Sequence, residues 1–140
     1  VYEATDRRTG QRVAAKFRII NPYGRAGIEN ELAMIHDEIR TYQRIPADCR
    51  EIERYITHFH NMDKPDSLVI ITELMEGDTL HHYLEQHPVR SAAHPLPFLL
   101  PIMLQISRGI HVLTQMRIIH RDLKPQNIMV DTSGPVPVVK

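Results

Sequence analysis

Ile119-His120-Arg121-Asp122-Leu123-Lys124-Pro125-Gln126-Asn127 sets an acid, a cation and an amide at fixed offsets between two apolar runs, Ile118-Ile119 and Ile128-Met129-Val130. Asp122 is a carboxylate that can accept a proton from an attacking hydroxyl. In an extended segment Lys124 points to the same side as Asp122, so a cation stands beside the base. Pro125 forbids helix at Lys124 and fixes its own φ, which stiffens the loop where two side chains must hold position. Asn127 offers a neutral carbonyl oxygen, a hard ligand suited to Mg²⁺, and the apolar run after it reads as a buried strand. Proton acceptor, charge neutraliser and magnesium ligand together describe phosphoryl transfer to an alcohol. The plainer reading of the same residues is a turn with a capping Asp and a solvent-facing Lys.

Two further constellations lie upstream. Val13-Ala14-Ala15-Lys16-Phe17 follows the turn Thr9-Gly10-Gln11, and on a strand Ala14 and Lys16 share a face. A lone lysine at the end of an apolar strand is ordinarily a snorkelling surface residue. Residues 26–45 carry Ile28, Leu32, Ile35, Ile39 and Tyr42 at helical spacing, which predicts an amphipathic helix. Glu38 flanks that stripe and wants a cation; Glu31, one heptad earlier on the same flank, is the alternative. The third constellation, Leu68-Val69-Ile70-Ile71-Thr72-Glu73-Leu74-Met75-Glu76-Gly77-Asp78, reads as a buried strand running into a glycine-containing connector. Asp78 also suits the N-cap of a short helix starting at Thr79.

These residues resemble those of the eukaryotic protein kinases, whose catalytic loop reads His-Arg-Asp-Leu with an asparagine shortly after. Lys124 is the choice of the serine/threonine kinases, so the resemblance implies ATP and Mg²⁺ as cofactors and a protein substrate with a Ser or Thr acceptor. It implies Asp122 as catalytic base, Lys124 at the γ-phosphate and Asn127 on the second Mg²⁺. Ala14 would roof the adenine, and Lys16 would reach the α and β phosphates while paired with Glu38. Tyr42 would fall at an apolar spine position. Thr72 would gate the back pocket, Glu73 and Met75 would present backbone groups to the adenine edge, and Asp78 would face the ribose. Val1 and Met129 complete the residues the resemblance places around the nucleotide. Arg121 would pair with an activation-loop phosphate, implying regulation by phosphorylation. Two rivals stay open: a pseudokinase or ATP-binding scaffold, and a small-molecule kinase of related fold.

The expected fold class is α+β, a truncated two-lobe protein-kinase-like fold: small lobe 1–75, hinge end 76–79, and the start of a helical lobe at 80–140. The pattern predicts a hairpin (Val1 to Thr5, Gln11 to Ile19), the helix at 26–45, and strands near Ile52 to His60 and Leu68 to Thr72. A short helix ending near Gln86 follows, then a proline-containing link from His87 to Pro97 and a long helix from about Phe98 to Met116. Ile102, Ile106, Ile110 and Leu113 would form its buried stripe. Pro101 is tolerable only in its first turn, and Gly109 weakens it or admits another element. Ile118-Ile119 and Ile128 to Val130 read as short strands, and Thr132-Ser133-Gly134 turns the chain toward Val136 to Val139.

With formal net charge zero, nothing favours nucleic acid or an anionic membrane as partner. One cysteine, Cys49, allows no internal disulfide and suits a reducing, cytoplasmic setting, the nucleus not excluded. Oligomeric state is open. His58 and His60, and His81-His82 with His87, read as surface histidines because no Cys or carboxylate joins them at ligand spacing; His120 reads as a packed core residue under the loop. No two glycines have the Gly-x-Gly-x-x-Gly spacing of the kinase phosphate lid, and Val138-Val139-Lys140 resembles the strand before Asp-Phe-Gly. Kinase domains run on the order of 250 residues, so the sequence reads as about half of one, and negligible turnover is expected of these 140 residues alone.

Overall fold

The computed structural model describes residues 1–20, 25–64, 67–87 and 96–140. Residues 88–95, most of the proline-containing link, lie outside them. The chain divides into two compact units, one of Val1–Cys49 with Glu53–Leu74 and the other of Arg50–Ile52 with Met75–Lys140.

The first unit is an antiparallel sheet with one helix. Strands β1 (Tyr2–Thr5), β2 (Arg12–Ile19), β3 (Tyr55–His60) and β4 (Ser67–Glu73) pair in the order β1-β2-β4-β3. The β1–β2 turn is closed by Asp6, which accepts the Arg8 N–H at 2.8 Å and the Thr9 hydroxyl at 2.9 Å. Central β4 is buried from Ser67 through Thr72, which explains a β-branched run without alternation: both its faces are covered. On one face Leu68 and Ile70 pack with Ile35, Ile39, Ile28 and Leu32 of α1 (Arg25–Arg44). This is the stripe expected from the helical period. The other face joins Val13, Ala15, Val69 and Ile71 to Ala4 and Ile56. β3 starts at Tyr55, three residues later than the expected Ile52, and its register with β4 slips between Tyr55 and Thr57.

The second unit holds a three-stranded sheet, β5 (Gly77–Thr79), β6 (Met129–Asp131) and β7 (Val138–Val139), with helices α2 (Leu80–Gln86) and α3 (Leu96–Gln115). Its core joins Leu80, Tyr83, Ile102, Ile128, Val130 and Val139. Gln105 ties α3 to β7: its Oε1 accepts the Val139 N–H at 2.9 Å and its Nε2 donates to the Pro137 carbonyl at 3.0 Å. Gly77 is demanded by crowding, since a Cβ there would lie 1.9 Å from the Val130 carbonyl oxygen.

Four expectations are corrected. The cap of α2 is Thr79, whose hydroxyl accepts the His82 N–H, while Asp78 caps nothing beyond the adjacent Thr79 N–H at 2.7 Å. α3 begins two residues earlier than expected, which puts Pro101 inside the helix beyond its first turn. Ile110 is exposed, because the helix meets its own unit at Gly109, where the Glu51 backbone approaches so closely that a Cβ would be 3.2 Å from its carbonyl oxygen. Ile118-Ile119 is not a strand: Arg117 turns left-handed (φ 55°), the Ile118 N–H closes back onto the Leu113 carbonyl at 2.9 Å, and β6 takes β5 and β7 as partners. No helix among the described residues is long and apolar enough to cross a membrane.

Candidate active site

The loop between α3 and β6 brings its three polar residues into contact. Lys124 is fully extended (φ −154°, ψ 158°), which keeps its side chain on the side of Asp122, and its Nζ lies 2.9 Å from Asp122 Oδ2. A single 3₁₀ turn, Pro125–Asn127, then folds the chain back; its closing bond runs from the Asn127 N–H to the Lys124 carbonyl at 2.9 Å. That turn carries the Asn127 amide to Asp122, where Nδ2 donates to the backbone carbonyl at 2.9 Å and to Oδ2 at 2.8 Å. The Lys124 ammonium, then the Asn127 amide, hold the Asp122 carboxyl below the usual carboxylate range. Asn127's nitrogen is thereby committed, and its carbonyl oxygen is the atom left to serve as a hard ligand.

Arg121 adopts a left-handed backbone, φ 65°, a conformation a non-glycine residue adopts only when its surroundings impose it. Its neighbour His120 is exposed, not a packed core residue. The ring serves the loop locally, its Nδ1 accepting the Asp122 N–H at 3.4 Å.

In the sheet unit, Ala14 stands opposite Thr72 and Lys16 opposite Ile70, so Ala14, Lys16 and Thr72 share the face covered by α1. Ala14 is buried and Thr72 fully so, whereas Val1 is 80% exposed and precedes the first residue of β1. The expected Lys16–Glu38 pair does not form. Lys16 Nζ lies 2.6 Å from Glu53 Oε2 and 3.3 Å from the Tyr42 hydroxyl. Glu38 is taken by Arg18, whose Nη2 reaches Oε1 at 2.9 Å and Oε2 at 2.7 Å. The reason is position along β2: Arg18, two residues beyond Lys16 on the same face, is the cation that meets Glu38. Burial pulls the Lys16 ammonium down, but Glu53 and Tyr42 outweigh it and hold its pKa above the ordinary lysine value.

Glu53 was missed because it lies in the charged run Arg50-Glu51-Ile52-Glu53-Arg54, where no period singles it out. One signal was available: a residue two before Tyr55 on an extended segment faces the same side as Tyr55, and that side packs on α1. Glu53 Oε1 also accepts the Thr72 hydroxyl at 2.9 Å, so the gating residue expected at Thr72 is tied to the acid that holds the strand lysine.

Glu73 exchanges bonds with Arg54: its N–H donates to the Arg54 carbonyl at 2.9 Å and its Oε1 accepts the Arg54 N–H at 2.8 Å. The Met75 carbonyl accepts the Gly77 N–H at 3.1 Å, and Met129 pairs both backbone groups with Lys140. Asp78 is exposed, with Oδ2 3.5 Å from His82 Nε2, and Glu85 Oε2 lies 3.3 Å from His82 Nδ1. Carboxylates therefore do stand beside that histidine, Asp78 from β5 and Glu85 from α2, contrary to the sequence expectation. Among the described residues no three His, Cys, Asp or Glu side chains converge as a metal site.

Residues 1–140 match the model of the protein kinase domain family over their whole length. The chain is similar to serine/threonine-protein kinase STY46 of Arabidopsis thaliana, 37% identical over 75 residues, which are 54% of this chain and 12% of that protein. It is similar to beta-adrenergic receptor kinase 1 of Homo sapiens, 32% identical over 108 residues, 77% of this chain and 15% of that protein. With death-associated protein kinase dapk-1 of Caenorhabditis elegans it shares 27% over 136 residues, 96% of this chain and 9% of that protein. The chain thus spans less than a sixth of the length of these relatives.

Proposed function

The chain belongs to the protein kinase domain family, and from that membership we propose that the protein transfers the γ-phosphoryl group of ATP to serine and threonine hydroxyls of protein substrates. The observation that carries the reading is one carboxylate oxygen, Asp122 Oδ2, held at once by Lys124 at 2.9 Å and Asn127 at 2.8 Å. An acid, a cation and an amide so fixed have the parts that phosphoryl transfer requires.

Asp122 orients the acceptor hydroxyl and takes its proton as the oxygen bonds to the γ-phosphorus. The bond from that phosphorus to the bridging oxygen breaks, and its electron pair leaves with ADP. Lys124 and Asn127 hold the Asp122 carboxyl below the usual carboxylate range, so it stands ionised and able to accept that proton. The Lys124 ammonium offsets charge on the phosphoryl group in flight. Mg²⁺, when bound, neutralises phosphate oxygens, and Asn127 Oδ1 is the ligand that would hold it. Lys16 is the cation that would meet the nucleotide phosphates, and Ala14, two residues before it on the same strand face, is the small residue that would lie beside the base.

The test is the protein at its full natural length with Asp122→Asn. Phosphorylation of a protein substrate falls by about 10²- to 10⁴-fold while nucleotide still binds. Hydrolysed product yields phosphoserine and phosphothreonine. Transfer at the parent rate by the Asp122→Asn variant would sink the assignment of the base. Nucleotide binding without transfer by the parent protein would replace the enzyme with an ATP-binding scaffold, and transfer only to small alcohols would replace the substrate class.

A further inference from the structure

The small sheet of the second unit has two faces, and only one of them belongs to the nucleotide reading. Across β5 and β6, Asp78 stands opposite Val130 and Thr79 opposite Met129. Asp78 therefore shares the Val130 face, while Met129, which the kinase resemblance places at the nucleotide, lies on the other. Asp78 and Val130 both line a cavity of about 470 Å³, whose other walls come from the end of α2 and the loop joining β6 to β7, all within this unit. That is room for a small ligand or one long side chain.

The walls are rich in acceptors and poor in donors. Asp78 Oδ1 accepts the Thr79 N–H at 2.7 Å. Its Oδ2 is 3.5 Å from His82 Nε2, but that nitrogen accepts the Gln86 amide N–H at 2.9 Å, and the ring donates from Nδ1 toward Glu85 at 3.3 Å. Oδ2 thus receives no hydrogen bond from His82, and Gln86, its nitrogen spent, keeps its oxygen. His87 donates from Nδ1 to the Tyr83 carbonyl at 2.9 Å, which leaves Nε2 as an acceptor. Pro135 and Pro137 add wall without an N–H, and among the described residues no lysine or arginine lines the cavity. The rings of Tyr83 and His87, 4.4 Å apart, make one side aromatic.

We propose that this cavity is a docking pocket for an arginine side chain presented by a protein partner. A guanidinium is flat, permanently charged and carries N–H donors around its rim, so it stacks on the aromatic side while donating to Asp78, Gln86 and His87. An ammonium concentrates its donors at one point and does not span acceptors drawn from both β5 and α2. An anion would meet the Asp78 charge and a wall with little to donate. Asp78, Gln86 and Thr132 are exposed, so the cavity opens to solvent and admits a side chain from a polypeptide that stays outside. The pocket owes nothing to phosphoryl transfer, so docking and kinase activity stand or fall separately.

The experiment is saturation-transfer difference NMR on the protein at its full natural length, with the acetylated and amidated pentapeptide Ala-Ala-Arg-Ala-Ala as probe. Saturation reaches the arginine side-chain protons, with a dissociation constant of about a millimolar. The peptide carrying citrulline, equal in shape but uncharged, binds at least about threefold more weakly, and so does the lysine peptide. Asp78→Asn weakens the arginine peptide by about three- to tenfold and Gln86→Ala by less. Glu85→Gln, which removes a neighbouring carboxylate that does not line the cavity, changes binding by less than about twofold. Equal binding of the arginine peptide and either counterpart overturns the proposal, as does binding that Asp78→Asn leaves unchanged. Free arginine that binds more tightly than the peptide would replace the protein partner with the amino acid and overturn the docking role. If Asp78→Asn loses the parent circular dichroism spectrum, Gln86→Ala against Glu85→Gln decides in the same way.

Discussion

Substituting Gly77 by alanine adds one methyl group where the chain has no room for it. The new Cβ would sit 1.9 Å from the Val130 carbonyl oxygen, 2.8 Å from its carbon and 2.9 Å from Asp131 Cα, all backbone atoms of β6. The closest approach is about 1.5 Å short of ordinary contact, so no rotamer change relieves it and β5 must retreat from β6. The retreat strains the pairs Gly77–Asp131 and Asp78–Val130 and pulls at Val130, which is fully buried in the core of its unit. Two ladder bonds at about 1 kcal/mol each, and about 1 kcal/mol for a methyl-sized loss of packing, are offset by up to about 1 kcal/mol from the stiffer unfolded chain. The net is about 2–3 kcal/mol of destabilisation. Urea unfolding followed by circular dichroism, the chain having no tryptophan, should show the midpoint lower by about 1–2 M. Gly27→Ala is the control, for nothing lies within 4 Å of its Cβ and the residue is in α1. There alanine stabilises by up to about 1 kcal/mol. If Gly77→Ala left the midpoint within about 0.3 M of the parent, the two backbones could not be as close as described.

Thr79→Ala removes the α2 cap and should cost about 1 kcal/mol in the same assay, whereas Asp78→Ala, which caps no free helical N–H, should cost less. Ile70→Ala empties a fully buried site between β4 and α1 and should cost about 2–5 kcal/mol, with Ile70→Val nearer 1. Lys16 and Tyr42 both have raised pKa values in the folded chain, the first through Glu53 and Tyr42 against burial, the second mainly through burial. Stability from a raised pKa is complete below the unfolded value and is lost as pH climbs through the folded one. The urea midpoint should therefore fall above about pH 10, and the fall should be shallower in Lys16→Met; an equal fall in both would refute the role of the pair.

The offsets that define the loop chemistry were legible because they are local. Asp122, Lys124 and Asn127 lie within six residues, and an extended step followed by a proline-led turn leaves them few ways to avoid one another. The helix stripe from Ile28 to Tyr42 and the apolar run of β4 were legible for a similar reason, since burial imposes a period or abolishes one. Pro101 and Ile110 were misplaced by small errors in where α3 begins and which residue it presses on its own unit. A one-residue difference on a helix rotates the face by about 100°.

By itself the sequence determined which family the chain joins and which polar residues meet in the loop, because both are written in short spans of residue types. Only the tertiary structure decided which acid holds Lys16. Glu38 and Glu53 lie 22 and 37 residues from that lysine, and the choice follows from the register of β2 against β4, the presence of Arg18 two residues on, and a buried Thr72 hydroxyl across the sheet. Competition among like groups for one partner is settled by depth and geometry, which no local pattern encodes.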